Sequence, residues 1–297
     1  MRSSYGFERR AYLLDVSDRC PNRRTMQELL DVLARFGYNE FFLLDAANAP
    51  REVPLETAKT EAYCRMQGID FKVLGADDLR ALETDAHNVL APTFSARSLC
   101  GRIEEMRVAM ERAEAAGRER KATRFVVTDV SDGYAWHPPC VSLPGIILGG
   151  NMMTAGRSAA KADLEKDLCS VMDLPVGGLL QKLGTLYLRG GAMRDDASEY
   201  FNILAGDVGY SRHPGITQFV LDDVSAVARG VRISLERWLD RSDWAKEISY
   251  AALLLECACH RRDERLLREA RDAHGHLWRL RFEPEGRVES LSKLPRF

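Results

Sequence analysis

The sequence predicts an α/β protein, with a mainly parallel sheet in the first half and a run of helices after it. Three observations carry this. Short apolar runs of strand length alternate with amphipathic stretches of helix length over about the first 150 residues. Three of the apolar runs end in or beside an aspartate. Beyond Gly149-Gly150 no strand-like run recurs, and the apolar residues take helical spacing.

In order along the chain, Ala11 to Val16 (AYLLDV) reads as the first strand, with Asp15 near its end. Thr25 to Phe36 reads as an amphipathic helix, with Thr25 as N-cap, Glu28 completing a capping box and Gly37 as the stop. Glu40 to Leu44 is a second strand closed by Asp45, Leu55 to Met66 a helix stopped by Gly68, and Phe71 to Leu74 a third strand. Val89 to Phe94 is a weaker fourth strand, Ser98 to Gly117 a long helix, and Phe125 to Thr128 a fifth strand capped by Asp129. Helices then follow over Asp163 to Met172, Gly178 to Tyr187 and, as a series, Ile216 to about Arg279. This divides the chain into an α/β part, residues 1–155, and a helical part, residues 156–297.

Composition excludes several classes. The 297 residues carry 42 Lys+Arg against 44 Asp+Glu, a net charge of -2, which argues against a nucleic-acid partner. No run approaches the ~18 apolar residues of a membrane span. The N-terminus lacks a secretory signal pattern, and the seven scattered cysteines do not form a disulfide framework, so a reducing cytoplasm is expected. Gly149-Gly150 and Gly190-Gly191 sit in no phosphate-binding motif, and Cys257, Cys259 and His260 lack zinc-ligand spacing. No cofactor is expected.

The motifs, taken in order, resemble those of family-20 glycoside hydrolases, the beta-N-acetylhexosaminidase group. R-A-Y-L-L-D-V-S (Arg10 to Ser17), a helix and then G-Y-N-E-F-F-L (Gly37 to Leu43) resemble that family's opening, R-G-x-x-L-D-x-S-R and Y-N. Here Ala11 replaces the Gly and Asp18 stands at the second Arg, with Arg19 beside it. AYCRMQGIDFKVLG (Ala62 to Gly75) resembles the next unit. T-D-V-S-D-G-Y-A-W-H-P-P (Thr128 to Pro139) and S-L-P-G-I-I-L-G-G (Ser142 to Gly150) resemble the last-strand loop and its continuation in a bacterial branch, and Leu277 to Leu294 resembles that branch's closing segment.

The resemblance implies an eight-unit (β/α) barrel, but a complete one takes ~250 residues. Only about a dozen residues separate the third-strand match at Gly75 from the penultimate one at Val89. The expected fold is therefore an incomplete or shortened TIM-type (β/α) barrel followed by the helical region. Its open sheet edges would be covered by those helices or by a second copy of the chain. The family's catalytic G-x-D-E, in which the Asp orients the substrate's 2-acetamido group and the Glu protonates the leaving oxygen, is absent. The nearest fragments, Glu83-Thr-Asp85 and Asp222-Asp223, follow no strand.

Strand C-termini face the ligand in such sheets. The candidate catalytic residues are Asp129 and Asp132, and the candidate substrate-binding residues are Arg10, Asp15, Asp45, Trp136 and His137. Carboxylates accept hydrogen bonds from sugar hydroxyls, an Arg donates to them and an aromatic face stacks on a sugar ring. Each has a plainer role open to it: Asp closes strands, Arg makes surface ion pairs and Trp anchors a core. Three functions follow as expectations. The chain is a degenerate carbohydrate-binding or scaffolding relative, an active exo-glycosidase of N-acetylhexosaminides using non-standard carboxylates, or a helical interaction module with no sugar role.

Overall fold

A computed structural model describes residues 6–45, 57–155, 163–189, 193–194, 197–206 and 214–295. Five parallel strands, β1 (Arg9–Asp15), β2 (Glu40–Leu44), β3 (Asp70–Leu74), β4 (Asn88–Pro92) and β5 (Arg124–Asp129), form one open sheet in the order β3-β2-β1-β5-β4. The first and last strands are therefore neighbours, with Tyr12 opposite Val127 and Leu14 opposite Asp129. All five lie where apolar runs predicted them.

The connecting helices are α1 (Arg23–Arg35), α2 (Thr57–Met66), α3 (Ala76–Thr84) and α4 (Ile103–Arg120). The predicted start of α2 at Leu55 lies outside the described residues. The cap of α1 differs from the prediction: Asn22 is the N-cap, its side-chain oxygen accepting from Thr25 N–H at 3.0 Å. Glu28 is thereby released from a capping box and pairs with Arg281. The stretch after Gly75 holds the nine-residue helix α3, which the short spacing had obscured. The α4 helix begins five residues later than Ser98, after a buried loop.

Alternation along each strand sorts the side chains between two faces. Tyr12, Phe41, Leu43, Phe125 and Val127 join the main core with residues of α1, α2 and α4. Ala11, Leu13, Phe42, Leu44 and Val126 face the other way and pack with Leu82 of α3. A right-handed crossover from β3 to β4 over the whole sheet puts α3 on that second face. At the open edge Asp70, Lys72 and Val73 of β3 are exposed, and Lys72 is a charge of the kind that discourages edge pairing.

After β5 the chain makes a 3-10 turn, Pro139–Ser142, and then α5 (Leu143–Ala155), a helix over a segment to which the sequence pattern assigns no element. Its Gly149 and Gly150 let it approach the sheet closely. An added Cβ would fall 2.5 Å from a Val127 methyl at Gly149 and 2.7 Å from the Phe36 carbonyl oxygen at Gly150. The remaining helices are α6 (Leu164–Met172), α7 (Gly177–Leu183), α8 (Glu199–Ala205), α9 (Gln218–Leu235), α10 (Asp243–Cys259), α11 (Glu264–Arg281) and α12 (Arg287–Lys293). A two-residue ladder, β6 (Met193–Arg194) with β7 (Ala197–Ser198), adds strands the sequence did not suggest.

Among the described residues the helical region packs mainly on α5 and the preceding turn, and the β3 edge keeps exposed residues. One apolar core runs through both parts, from Tyr12 and Phe125 to Leu254 and Leu277. A buried ionic staple joins them: Arg281 of α11 pairs with Glu247 of α10 at 2.5 Å and with Glu28 of α1, and Glu247 accepts Cys140 N–H at 2.7 Å. Among the described residues no helix is long and apolar enough to cross a membrane.

Candidate functional site

The C-terminal ends of β1 and β5 open into a cavity of about 60 Å³. Leu14, Leu29, Val32, Ile146, Trp244 and Phe282 give it apolar walls, and Tyr12, Asp15, Arg19, Thr25, Asp129, Asp132 and His137 supply its polar groups. Of the predicted site residues, Asp15, Asp129, Asp132 and His137 meet here.

The three aspartates are bound in different ways. Asp129 is buried on the core side of β5, like Phe125 and Val127. Its Oδ2 accepts Tyr12 Oη at 2.7 Å, and its Oδ1 accepts Ser95 Oγ at 2.5 Å and Thr93 Oγ1 at 3.2 Å. Burial and this carboxylate push the Tyr12 phenol well above its ordinary pKa. Asp132 accepts three backbone N–H groups, from Arg97 at 2.8 Å and from Tyr134 and Ala135 at 2.9 Å each. Burial opposes its charge, yet the electrostatic influence of His137 and these N–H donors outweigh burial and hold the carboxyl below its usual range. Asp15 closes a turn: Oδ1 accepts Ser17 N–H at 2.9 Å and Oγ–H at 2.5 Å, and Oδ2 accepts Ser131 N–H at 3.1 Å.

Arg19 crosses the site. It donates through Nη1 to the carbonyls of His137 and Ala135 and through Nη2 to His137 Nε2 at 2.5 Å, and its guanidinium lies 4.9 Å from the centroid of the Phe282 ring. A guanidinium only donates, so His137 Nε2 is the acceptor and its proton sits on Nδ1, facing Asp132 Oδ2 at 3.9 Å. Burial first, and the Arg19 charge second, lower the His137 pKa to about 4, so the ring is neutral near pH 7. Beside the cavity, Asp18 accepts Gly133 N–H at 2.6 Å and a bond from Ser131 Oγ. Burial, with Asp132 and Asp15 nearby, raises its carboxyl pKa despite the Gly133 N–H and Lys293.

The helix α12 forms a second layer behind the Gly133–His137 loop. Ser290 Oγ donates to the Tyr134 carbonyl at 2.6 Å, Trp136 Nε1 donates to the Ser290 carbonyl at 3.3 Å and Lys293 reaches the Gly133 carbonyl. His274 bridges Ser290 Oγ at 3.0 Å and Tyr250 Oη at 2.7 Å. Burial, Arg19 and Arg271 lower its pKa to about 3.

Three predicted residues lie elsewhere. Arg10 is five residues before Asp15 on β1, about 17 Å away at ~3.3 Å per residue. It sits at the opposite end of the sheet and binds the carbonyls of Gly37 at 2.5 Å and Phe7 at 2.9 Å. Asp45 follows β2 and does not line the cavity. Trp136 is fully buried, its ring centroid 4.8 Å from that of Tyr134 and 5.5 Å from that of Phe201, so it anchors the loop and offers no stacking face to the cavity. Glu83 and Asp85 lie at the end of α3, and Asp222 and Asp223 lie within α9. Cys257 and Cys259 are buried free thiols in α10. Gly190-Gly191 lies outside the described residues. Among the described residues no group of three or more His, Cys, Asp or Glu could hold a metal ion.

Arg19, Thr25 and Tyr12 line the cavity beside the candidates. Arg19 carries a signal in the sequence, as the cation beside the position where the resembling family has its second Arg. Thr25 reads locally as a cap, and Tyr12 as part of an apolar run. No protein-family model matches the chain, and no curated protein matches it.

Proposed function

We propose that the chain is a ligand-binding protein on a shortened (β/α) barrel, a degenerate relative of family-20 glycoside hydrolases that holds a sugar without hydrolysing it. The strand order supports the scaffold. Doubly wound sheets number outward from the centre on both sides, as in 3-2-1-4-5-6. Here the second half runs inward, β3-β2-β1-β5-β4. Neighbours of that kind remain when the middle strands of a barrel are removed and its first and last strands stay paired. In a barrel every helix lies outside; α3 instead packs where the lumen would be, beside Ala11, Leu13 and Val126.

The observation that carries binding without turnover is the state of the carboxylates. Asp15, Asp129 and Asp132 each accept three fixed hydrogen bonds from the protein. A general acid must instead hold a proton near operating pH and reach the leaving group. Asp132 is held away from that state. Glycosidase action is the second reading, favoured by Asp18, whose carboxyl pKa is raised; that group does not line the cavity.

The test is a panel of aryl glycosides, including the N-acetylglucosaminide and N-acetylgalactosaminide, run with the parent, Asp129→Ala and Asp132→Ala. A second panel of neutral, amino, N-acetyl and acidic hexoses is scored by the rise in Tm. The expected result is no turnover above blank and saturable stabilisation by at least one hexose. Turnover lost in either variant overturns binding without catalysis. Neither turnover nor stabilisation would leave a structural or interaction role.

A further inference from the structure

We infer that Arg19 is a ligand-recognition residue and that the ligand presents a carboxylate to it. The inference rests on the reading that the cavity binds a ligand, and it names the chemical group bound.

Among the described residues no carboxylate lies within 4.0 Å of the Arg19 guanidinium, although several aspartates are close by. The reason is visible in their bonding. Asp129 is held by three hydroxyls, Asp132 by three backbone N–H groups, and Asp18 by Ser131 and Gly133. The cation itself is fixed. Two carbonyls and His137 Nε2 hold one side of it, and Phe282 lies 4.9 Å away from the guanidinium carbon.

A guanidinium has five N–H donors. Three are directed at Ala135, His137 O and His137 Nε2, so two are left for a partner from outside the protein. Two N–H donors on one planar group match the two oxygens of a carboxylate. The Arg19 charge is the largest electrostatic influence on both His137 and His274, while Asp129, Asp132 and Asp18 act on it through space without pairing with it. Thr25 Oγ1, buried and without a protein partner, lines the same cavity and can donate a further bond.

Size narrows the class. At about 60 Å³ the cavity is well below the ~300–1,000 Å³ of pockets that enclose drug-sized ligands. A short carboxylic acid enters whole, and a sugar acid enters by its carboxylate end.

The experiment measures the Tm shift and the calorimetric affinity of the full chain with acetate, glycolate, lactate and glucuronate. Glucose and glucosamine are the neutral and cationic controls, and sodium chloride is matched throughout. Arg19→Met and Arg19→Lys are run beside the parent, with Arg279→Ala as a surface control. The expected result is saturable binding of at least one acid, about tenfold or more weaker in Arg19→Met and intermediate in Arg19→Lys, which keeps the charge and loses the fork. In the parent protein, the Arg19 Nε–H resonance should move on saturation, a readout that needs no variant to fold. Glucuronate alone identifies a sugar acid; the short acids alone identify a small hydroxy acid and remove the sugar from the function. Binding of glucose or glucosamine in preference to every acid, unaffected by Arg19→Met, overturns the inference and leaves the binding reading standing. No stabilisation by any of these compounds overturns the inference, and the hexose panel above then decides the binding reading.

Discussion

At the scale of residues, two neutral histidines tie this protein to pH. The pKa of His137 is about 4 and that of His274 about 3, against an ordinary value of about 6.5. The unfolded chain takes up a proton at each near pH 6.5, and the folded chain does not until pH 4 and 3. The unfolded state therefore binds more protons in that window, and stability is present above pH 6.5 and lost as pH falls. The slope between about pH 6 and 4.5 should approach about 2.7 kcal/mol per unit for two sites. Urea unfolding across that range should show it, and His274→Gln, which can still bond Tyr250 and Ser290, should remove about half. A slope unchanged in that variant would mean that His274 titrates normally. Asp129 allows a second prediction. Asp129→Ala strands the buried Tyr12 hydroxyl and should cost about 1–3 kcal/mol in urea. Asp129→Asn should cost less, because the amide oxygen still accepts and Tyr12 can turn to receive its N–H.

At the scale of elements, α5 shows where local pattern is silent. Its apolar residues face all round and its glycines interrupt them, so no periodicity marks a helix. Glycine is needed because two elements crowd it: β5 against Gly149 and the Phe36 carbonyl against Gly150. Gly150→Ala should lose about 1–3 kcal/mol through overpacking, despite the better helix propensity of Ala. Gly230 of α9 is the control, since an added Cβ there meets nothing within 4 Å. Gly230→Ala should stabilise by about 0.5–1 kcal/mol. The pair separates packing from propensity in one set of thermal melts. The short helix α3 was hidden for a different reason. Its Leu82 packs on the second face of the sheet, a location no local pattern announces.

At the scale of the whole molecule, the two parts of the chain share one core and one ionic staple. Arg281 is almost completely buried between Glu247, also buried, and Glu28. Arg281→Met should cost about 3–5 kcal/mol, because it strands the Glu247 charge. The double variant Glu247→Leu with Arg281→Met should recover a good part of that loss, because an apolar pair needs no compensation. Equal losses in the single and double variants would show that the packing volume, not the charge, matters there.

Local pattern in the chain is enough to place the five strands, their parallel sense and the main helices of the second half. Those features depend on alternation, apolar periodicity and stop residues, all local in the chain. It also located the strand-end loop, and with it Asp129, Asp132 and His137. Arg10 and Trp136 were misread because a strand pattern shows which residues form a strand, not which neighbours consume their polar or aromatic groups. Only the tertiary structure brought β5 beside β1, placed α3 on the second face and aimed Arg19 across the cavity against a ring from residue 282. Those are contacts between segments distant in sequence. They are set by which buried surfaces fit together, and no window of neighbouring residues contains that information.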